Sequence, residues 1–379
     1  MKGLRVIDAA TNIAGPYAAS VLADFGADVI KVEPIAGDPM RAYPPSVGEL
    51  TTQFAAINHR KRYVSLDLRG EAGRGALHAL LRNADVLIQN VRPGREARLG
   101  LDAASCHATN PRLVHATLSA FYPADGDRPG YDMLVQGEAG LLHLTGEPDR
   151  PPSRIGASAI DHVSGLWLAL AIMAALREEG SKRVVGVSML DVAIGLLNEK
   201  VSAFLATGVE PRRMGAGTTA TTPHGAFPTA DAYIVIGAAT DESFRRLASV
   251  VGPPLLGDER FATQQGRLDH RGEVEGALSD ALRAHGADHW VPLLEQAGVP
   301  VGRVFTLAEA VEHHRAESPT GLLDVAGIGV LAPPVRMGGG AWTDPPAPGA
   351  VGRDTDAVLR SAGIDDGELA RLREEGAIR

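Results

Sequence analysis

Short apolar runs alternate with helical patterns over the first half of the chain. Between the runs, apolar residues recur at helical spacing, for example over 71–83 and 157–179. Strands that alternate with helices of this length are typical of βαβ units, which build a parallel sheet. This half is therefore predicted to be an α/β fold. The predicted strands are 4–8, 29–33, 63–67, 85–89, 113–118 and 184–188.

The pattern changes after a further helix predicted over 190–207. Residues 211–223 are rich in Gly, Thr and Pro, which indicates a loop. A strand and several helices follow and indicate a smaller α+β domain, and a second stretch rich in Gly and Pro precedes the last helices. The elements of the small domain are predicted at 233–236, 241–251, 272–284 and 287–297, and the second loop-rich stretch is 337–346.

These changes divide the chain into three parts. We predict the first part of a large domain over 1–210, a small domain over 225–315, and a C-terminal return to the large domain over 330–379. The resulting fold class is α/β, with a large Rossmann-like domain around a parallel sheet and a smaller α+β domain.

Composition narrows the functional class. The formal net charge of −9 argues against a nucleic-acid surface. The single cysteine, Cys106, rules out an intrachain disulfide and fits a reducing compartment. The start of the chain has no long apolar segment of the signal-peptide type, and the longest apolar run, 166–176, is too short to cross a membrane. We expect a cytoplasmic protein with no membrane partner.

A dinucleotide-binding function is disfavoured by the loop after the first strand. After Asp8 the chain reads AATNIAGPYAAS, which lacks the G-x-G-x-x-G pattern of classical NAD sites. Pro16 suits the first turn of a helix, where its missing N–H costs nothing.

Many short segments, taken together, point to one family. Each is common alone, but their shared order and spacing are specific. The segments are 4–8, 14–16, 22–33, 58–62, 85–94, 110–114, 128–132, Gln136, 145–146, 161–165 and 295–300. Together they resemble the class III CoA-transferases, which include formyl-CoA and carnitine CoA-transferases, and the related α-methylacyl-CoA racemases.

The resemblance implies a fold, a reaction and partners. It implies the large and small domains described above, in a homodimer whose two chains interlock. It implies transfer of coenzyme A from an acyl-CoA to a carboxylic acid, with CoA as substrate, no permanently bound cofactor and no metal. The identity of the two acids is not readable from the sequence.

Asp161 matches the aspartate that acts as nucleophile in the family. The resemblance implies that its carboxylate attacks the thioester to form an acyl-aspartyl anhydride and then an aspartyl-CoA thioester. From position alone, Asp161 would also suit a helix N-cap. Backbone N–H groups at the helix start could hold its carboxylate ionised or stabilise an oxyanion.

Tyr131 separates two branches of the family. The racemases carry a histidine there that acts as a base, whereas formyl-CoA transferase has tyrosine. Tyrosine, with an ordinary pKa of about 10, is a poor base at neutral pH. A racemase-like isomerase using His162 or His143 stays as the alternative, and a CoA-binding protein without turnover is a third possibility.

The resemblance also implies residues that bind CoA. Most of them lie in or near the loops after the first and fourth predicted strands. Leu66 would contact the adenine, and Arg60 of the basic segment 60–62 would contact a phosphate. Residues 215–217 would be either a glycine loop over the active site or a plain linker. The candidate CoA-binding residues are Asn12, Ile13, Ala14, Leu66, Asn90, Val91, Arg98 and Arg60.

Overall fold

The computed structural model describes residues 1–122, 128–335, 337 and 341–379. Residues 338–340 of the second loop-rich stretch therefore lie outside the described residues. The chain divides into two compact units. The larger contains Met1–Leu141, Ile155–Ser202 and Arg315–Arg379, and the smaller contains Leu142–Arg154 and Ala203–His314. The smaller unit thus takes in a short segment from within the predicted large domain.

Strands are numbered in chain order. From β1 to β13 they are Arg5–Asp8, Asp28–Glu33, Ser46–Val47, Leu50–Thr51, Lys61–Ser65, Val86–Gln89, Val114–Ser119, Arg183–Ser188, His224–Pro228, Tyr233–Gly237, Val301–Arg303, Leu322–Val325 and Ile328–Leu331.

Helices are numbered in the same way. From α1 to α17 they are Ala14–Asp24, Thr52–Asn58, Glu71–Leu81, Ala103–Thr109, Asp132–Glu138, Leu141–Leu144, Ala159–Ala175, Met189–Gly195, Asn198–Thr207, Asp241–Val251, Pro253–Leu256, Gln264–Asp269, Arg271–Leu282, Ala287–Gln296, Leu307–Glu317, Thr355–Ser361 and Asp366–Glu374. Short 3₁₀ turns lie at Pro39–Ala42, Ala97–Leu99 and Glu259–Phe261.

A six-stranded sheet forms the centre of the larger unit, in the order β5-β2-β1-β6-β7-β8. Every neighbouring pair in this sheet is parallel. β1 lies in the middle, and its Val6 and Ile7 are fully buried in two separate apolar clusters. Residues of α1 and α7 join the first cluster, and residues of α3, α16 and α17 join the second. The predicted α/β class with a parallel sheet is confirmed.

The smaller unit has its own core. Its antiparallel sheet has the order β11-β10-β9. Ile234 and Ile236 of β10 are fully buried against apolar side chains of α10, α13 and α14, including Leu247, Leu278 and Leu294. This alternation of buried and exposed positions is typical of a sheet covered on one face.

One predicted helix is wrong in extent. The helix expected over 190–207 is two helices, α8 and α9, separated at residues 196–197. The Leu197 N–H bonds to the Ile194 carbonyl, three residues back, so the last turn of α8 tightens and the helix stops.

Among the described residues, no helix has the length and apolar character needed to cross a membrane.

Close packing joins α1 to α7 on one face of the sheet. A side-chain Cβ at Gly165 of α7 would lie 2.6 Å from the Ala14 carbonyl oxygen and 3.2 Å from the Ala18 nitrogen. Both are backbone atoms of α1, so a larger residue would force the helices apart. Gly165 therefore sets the spacing of α1 and α7.

Replacing Gly165 tests this packing. We expect Gly165→Ala to lower the free energy of unfolding by about 1–3 kcal/mol, because the new methyl group overpacks the helix contact. Gly75→Ala in α3 is the matched control, since no atom lies within 4 Å of a Cβ there. The control should stabilise the protein by about 0.5–1 kcal/mol. Urea unfolding of both variants measures this; equal effects would contradict the packing argument.

Candidate active site

Two loops meet at the carboxyl edge of the sheet, between β1 and β6. Strand order reverses at this point, and in doubly wound sheets such a crevice is where ligands bind. The Asn90 side chain after β6 joins the loops: its Oδ1 accepts from the Thr11 N–H at 2.9 Å and its Nδ2 donates to the Thr11 carbonyl at 2.8 Å. Beside it, the Val91 N–H donates to Gln89 Oε1 at 2.6 Å. Asn90 thus holds the loop after β1 through both the oxygen and the nitrogen of its side-chain amide.

The N-terminus of α1 opens into this crevice region. Asn12 has a left-handed φ of 63°, a conformation that asparagine tolerates better than most residues. Ile13 precedes the helix and supplies no side-chain cap, and the first turn contains no acidic residue. An uncapped helix start offers free N–H donors to an anion. The predicted residues Asn12, Ile13 and Ala14 therefore surround a helix start whose N–H groups can meet an oxygen atom of a ligand.

Three other predicted CoA contacts have different settings. Arg98 is exposed, and its guanidinium pairs with no carboxylate in the described ranges. Leu66 is only 1% exposed and pairs with Ile378 in an isolated bridge, so its side chain belongs to the core. Arg60 Nε lies 3.3 Å from Asp24 Oδ1, so this cation already has a partner. Of the three, only Arg98 combines a positive charge with an exposed side chain.

Asp161 lies in the first turn of α7, as its third residue. The Gly165 contact with Ala14 follows one turn later, so the helix carrying Asp161 packs directly on the start of α1. The carboxylate is partly buried and accepts no hydrogen bond from the residues that the structure describes. Burial, reinforced by the negative charge of Asp132, raises the pKa of the Asp161 carboxyl to about 7.

Asp132 caps α7 from a neighbouring helix. Its Oδ2 accepts from the N–H of Ile160 at 2.8 Å and of Asp161 at 3.3 Å. Its Oδ1 accepts from Gln136 Nε2 at 2.5 Å, and Gln136 Oε1 in turn accepts from the Ile155 N–H at 3.0 Å. Both side chains are buried. This chain of hydrogen bonds fixes the start of α7 relative to α5.

The cap corrects two expectations for Asp161. Asp161 is not the N-cap, because Ser158 precedes the helix and Asp161 lies within it. The N–H groups of Ile160 and Asp161 are occupied by Asp132, so they are not available to hold the Asp161 carboxylate or an oxyanion. Sequence reasoning missed this role of Asp132; the available signal was the spacing of Asp132 and Gln136, which are four residues or about one helical turn apart.

Tyr131 and His162 lie beside the site without bonding to its carboxylate. Tyr131 precedes α5 and is 65% exposed. His162 Nδ1 faces the Ser158 carbonyl at 2.8 Å, and its ring meets Tyr17 edge to face at 4.7 Å. In the described part of the chain, neither forms a hydrogen bond to the carboxylate of Asp161.

Comparison with known proteins decides the family. The model of CoA-transferase family III matches residues 1–355. The chain belongs to this family. It is 34% identical over 368 residues to an acetyl-CoA:oxalate CoA-transferase of Acetobacter aceti, covering 94% of each protein. It is 36% identical over 332 residues to a probable fatty acyl-CoA transferase of Mycobacterium tuberculosis, covering 82% of this chain and 84% of that protein.

A solved structure agrees with this assignment. A CaiB/BaiF family protein from Brucella suis superposes with a TM-score of 0.85 at 31% identity, covering 95% of this chain and 98% of that one. The chain is therefore a class III CoA-transferase, and its substrates are CoA compounds. Within the described residues, no cluster of three or more His, Cys, Asp or Glu side chains could hold a metal ion.

For this CoA-transferase, the site offers one carboxylate with unusual properties. Asp161 carries a proton more readily than an ordinary aspartate because its charge is poorly solvated and repelled by Asp132. A poorly solvated carboxylate is also a more reactive nucleophile once it is ionised. The arrangement suits attack by Asp161 on an electrophile that approaches from solvent.

The raised pKa predicts a pH-dependent effect on stability. The folded state holds the Asp161 proton more tightly than the unfolded state, so ionisation costs stability as pH rises from about 4 to about 7. This rise in the pKa of Asp161 corresponds to about 4 kcal/mol in the free energy of unfolding. Because the side chain is partly exposed, solvent screening reduces this to about 2 kcal/mol. Asp161→Asn removes this cost.

We therefore expect Asp161→Asn to stabilise the protein more at pH 8 than at pH 4.5. Thermal unfolding of wild type and variant at both pH values measures the difference. Asp191→Asn is the matched control, since Asp191 occupies the third position of α8. A stabilisation by Asp161→Asn that is the same at both pH values would contradict the raised pKa.

Proposed function

We propose that this enzyme transfers CoA between an acyl-CoA donor and a carboxylic acid acceptor through covalent intermediates on Asp161. The observation that supports this most is the setting of Asp161. Its carboxylate is partly buried, lacks a hydrogen-bond donor among the described residues, and has a pKa raised to about 7. It is thus free to attack and is partly ionised at neutral pH.

The first half of the reaction forms two intermediates. An oxygen of Asp161 attacks the thioester carbonyl carbon of the donor, the C–S bond breaks, and CoA leaves as its thiolate. The product is a mixed anhydride between the donor acid and Asp161. The thiolate then attacks the side-chain carbonyl carbon of Asp161, and the donor acid leaves as a carboxylate. Asp161 now carries CoA as a thioester.

The second half repeats these steps with the acceptor. The acceptor carboxylate attacks the aspartyl-CoA thioester, expels the thiolate, and forms a new anhydride on Asp161. The thiolate then attacks the acceptor carbonyl carbon of this anhydride, and the bond from that carbon to the bridging oxygen breaks. The products are the new acyl-CoA and the regenerated Asp161 carboxylate. One thioester breaks and one forms, so the exchange needs no hydrolysis and no oxidant.

The CoA moiety is proposed to lie at the carboxyl edge of the sheet. Asn12, Ile13 and Ala14 supply the uncapped start of α1, and Asn90 and Val91 form the opposite loop. Exposed Arg98 is the preferred partner for a CoA phosphate. The earlier candidates Leu66 and Arg60 stay as predictions with weaker support, since one is buried and the other is paired.

We also propose a homodimer, as the resemblance to the class III CoA-transferases implies.

The outer face of α7 offers an apolar surface for this contact. Leu166, Trp167, Leu170 and Met173 recur at helical spacing and are 42–55% exposed. An apolar stripe of this kind on a soluble protein marks an interaction site. The partner that we propose for it is a second copy of the chain.

The proposed chemistry is tested by trapping the intermediate. Wild-type enzyme is incubated briefly with a panel of acyl-CoAs, treated with hydroxylamine and mapped by peptide mass spectrometry. We expect a hydroxamate on the peptide bearing Asp161, because anhydrides and thioesters both react with hydroxylamine. Asp161→Asn should abolish both the adduct and the transfer activity.

Asp191→Asn is the control, and it should keep both signals. An Asp161→Asn enzyme that still transfers CoA would refute the proposal. Exchange of the acyl α-proton with solvent, in the absence of an adduct, would instead favour the racemase-like alternative.

The proposed dimer is tested by light scattering after size-exclusion chromatography. Wild type should elute with twice the chain mass of 39.7 kDa. Leu170→Glu should shift the equilibrium towards monomer by at least about tenfold in dissociation constant, since it buries a charge at the interface. Leu331→Glu, at an apolar residue that is 68% exposed on β13, should leave the dimer intact. A wild-type monomer at micromolar concentration would contradict the assignment.

A further inference from the structure

The hydrogen bonds of Asp132 and Gln136 on α5 form a chain that can run in only one direction. Backbone N–H groups, which can only donate, lie at both ends: that of Ile155 at one, and those of Ile160 and Asp161 at the other. Gln136 Oε1 must therefore accept from Ile155, which leaves Gln136 Nε2 to donate to Asp132 Oδ1. Both oxygens of Asp132 then face N–H donors, so the chain is complete only when this side chain is a carboxylate.

This chain places a fixed negative charge at the start of α7. The Asp132 and Gln136 side chains are both buried, so salt and water screen the charge weakly. Asp132 Oδ2 lies 3.3 Å from the backbone nitrogen of Asp161 itself. Burial and then the charge of Asp132 disfavour the ionised carboxylate of Asp161. The protein thus holds its candidate nucleophile beside a like charge that cannot take up the proton without losing a hydrogen bond.

The surroundings of α7 supply no compensating cation. In the part of the chain that the structure describes, Asp132 is the one charged group that shifts the pKa of Asp161. The elements packed against α7 are α1, α5, α8, β7 and β8. The other titratable side chains on these elements and on α7 are Tyr17, Asp24, His115, Glu138, His162, Arg183 and Asp191.

We propose that Asp132 is a positioning residue for CoA transfer, one that fixes a negative charge beside Asp161 and thereby favours the covalent intermediates over the free carboxylate. This inference rests on the proposed function and adds to it a residue that acts through Asp161. Gln136 has a supporting part, because the direction of its amide requires residue 132 to be the acceptor.

The negative charge leaves Asp161 in both covalent steps. When its oxygen bonds to the thioester carbon, the C–S bond breaks and the charge departs on the thiolate of CoA. When the thiolate then attacks the side-chain carbonyl of Asp161, the charge departs on the donor carboxylate. Asp161 is neutral in the anhydride and in the aspartyl-CoA thioester, so its repulsion by Asp132 is relieved. An interaction that is unfavourable in the ground state and weaker in the transition state speeds up the step.

A double variant separates this charge from the hydrogen bonds. Asp132→Asn/Gln136→Glu exchanges the two functional groups and keeps every bond of the chain. The new amide oxygen at position 132 accepts from α7, its nitrogen donates to position 136, and the new carboxylate there accepts from Ile155. The negative charge thus moves one helical turn away from Asp161. The matched control is Glu138→Gln, which removes a negative charge of the same helix that pairs with Arg128.

The expected result is a change in the pH profile of kcat/KM. Only ionised Asp161 attacks, so kcat/KM of the wild type should rise with pH and level off above about 7. In the double variant this rise should move to lower pH by about 0.5–1 unit. The plateau of kcat/KM and the amount of adduct trapped by hydroxylamine should each fall about threefold or more. Glu138→Gln should leave the profile within about 0.2 unit of wild type.

A second variant covers a failure to fold. If the double variant is not folded, Asp132→Asn alone, which keeps an oxygen acceptor for the N–H groups of α7, should show the same shift. A folded variant with the wild-type profile would show that the hydrogen bonds suffice and would overturn the role of Asp132. A loss of activity that is equal at every pH would overturn it as well. A wild type that forms no adduct on Asp161 overturns the proposed function, and the role of Asp132 falls with it.

Discussion

Buried ionic contacts among Asp8, Lys31 and Lys61 hold three strands of the large sheet together. They join β1, β2 and β5, and all three side chains are fully buried. Burial favours the neutral form of Asp8, but the two lysines outweigh it and lower the pKa of Asp8. Burial lowers the pKa of Lys61 to about 8, so it stays charged at neutral pH. Removing one partner of such a pair typically costs about 3–5 kcal/mol, because a buried charge is left without compensation.

A second pair of charges, Asp132 and Asp161, has the opposite character. Asp132 is satisfied by backbone N–H groups of α7 and by Gln136, so its charge is stabilised where it lies. Asp161, one helix start away, gets no such donor and is repelled by Asp132. Two carboxylates at one helix start therefore have different settings: one is hydrogen-bonded, and the other lacks a donor among the described residues and has a raised pKa.

The sequence predicted the sheet well and the site in part. Strands buried on both faces have apolar centres, such as Val6-Ile7, Val29-Ile30 and Val86-Leu87-Ile88, so β1, β2 and β6 are visible in the sequence. The burial of Leu66 and the pairing of Arg60 with Asp24 depend on residues distant in sequence. Neither contact can be predicted from the residue type alone. The cap by Asp132 is likewise a contact between helices 28 residues apart. Motif matching names such residues without saying what they touch.

The most direct test of the account follows an oxygen atom. Enzyme and an acyl-CoA donor are mixed with an acceptor acid labelled with ¹⁸O in its carboxylate. After digestion, the mass of the peptide bearing Asp161 is measured by mass spectrometry. In the proposed route, the anhydride breaks on the acceptor side when the new thioester forms, so Asp161 keeps one oxygen of the acceptor. The account predicts that this peptide gains the heavy isotope while the peptide bearing Asp191 does not. Turnover with no label in Asp161 would show that CoA passes between the acids without an anhydride on this residue.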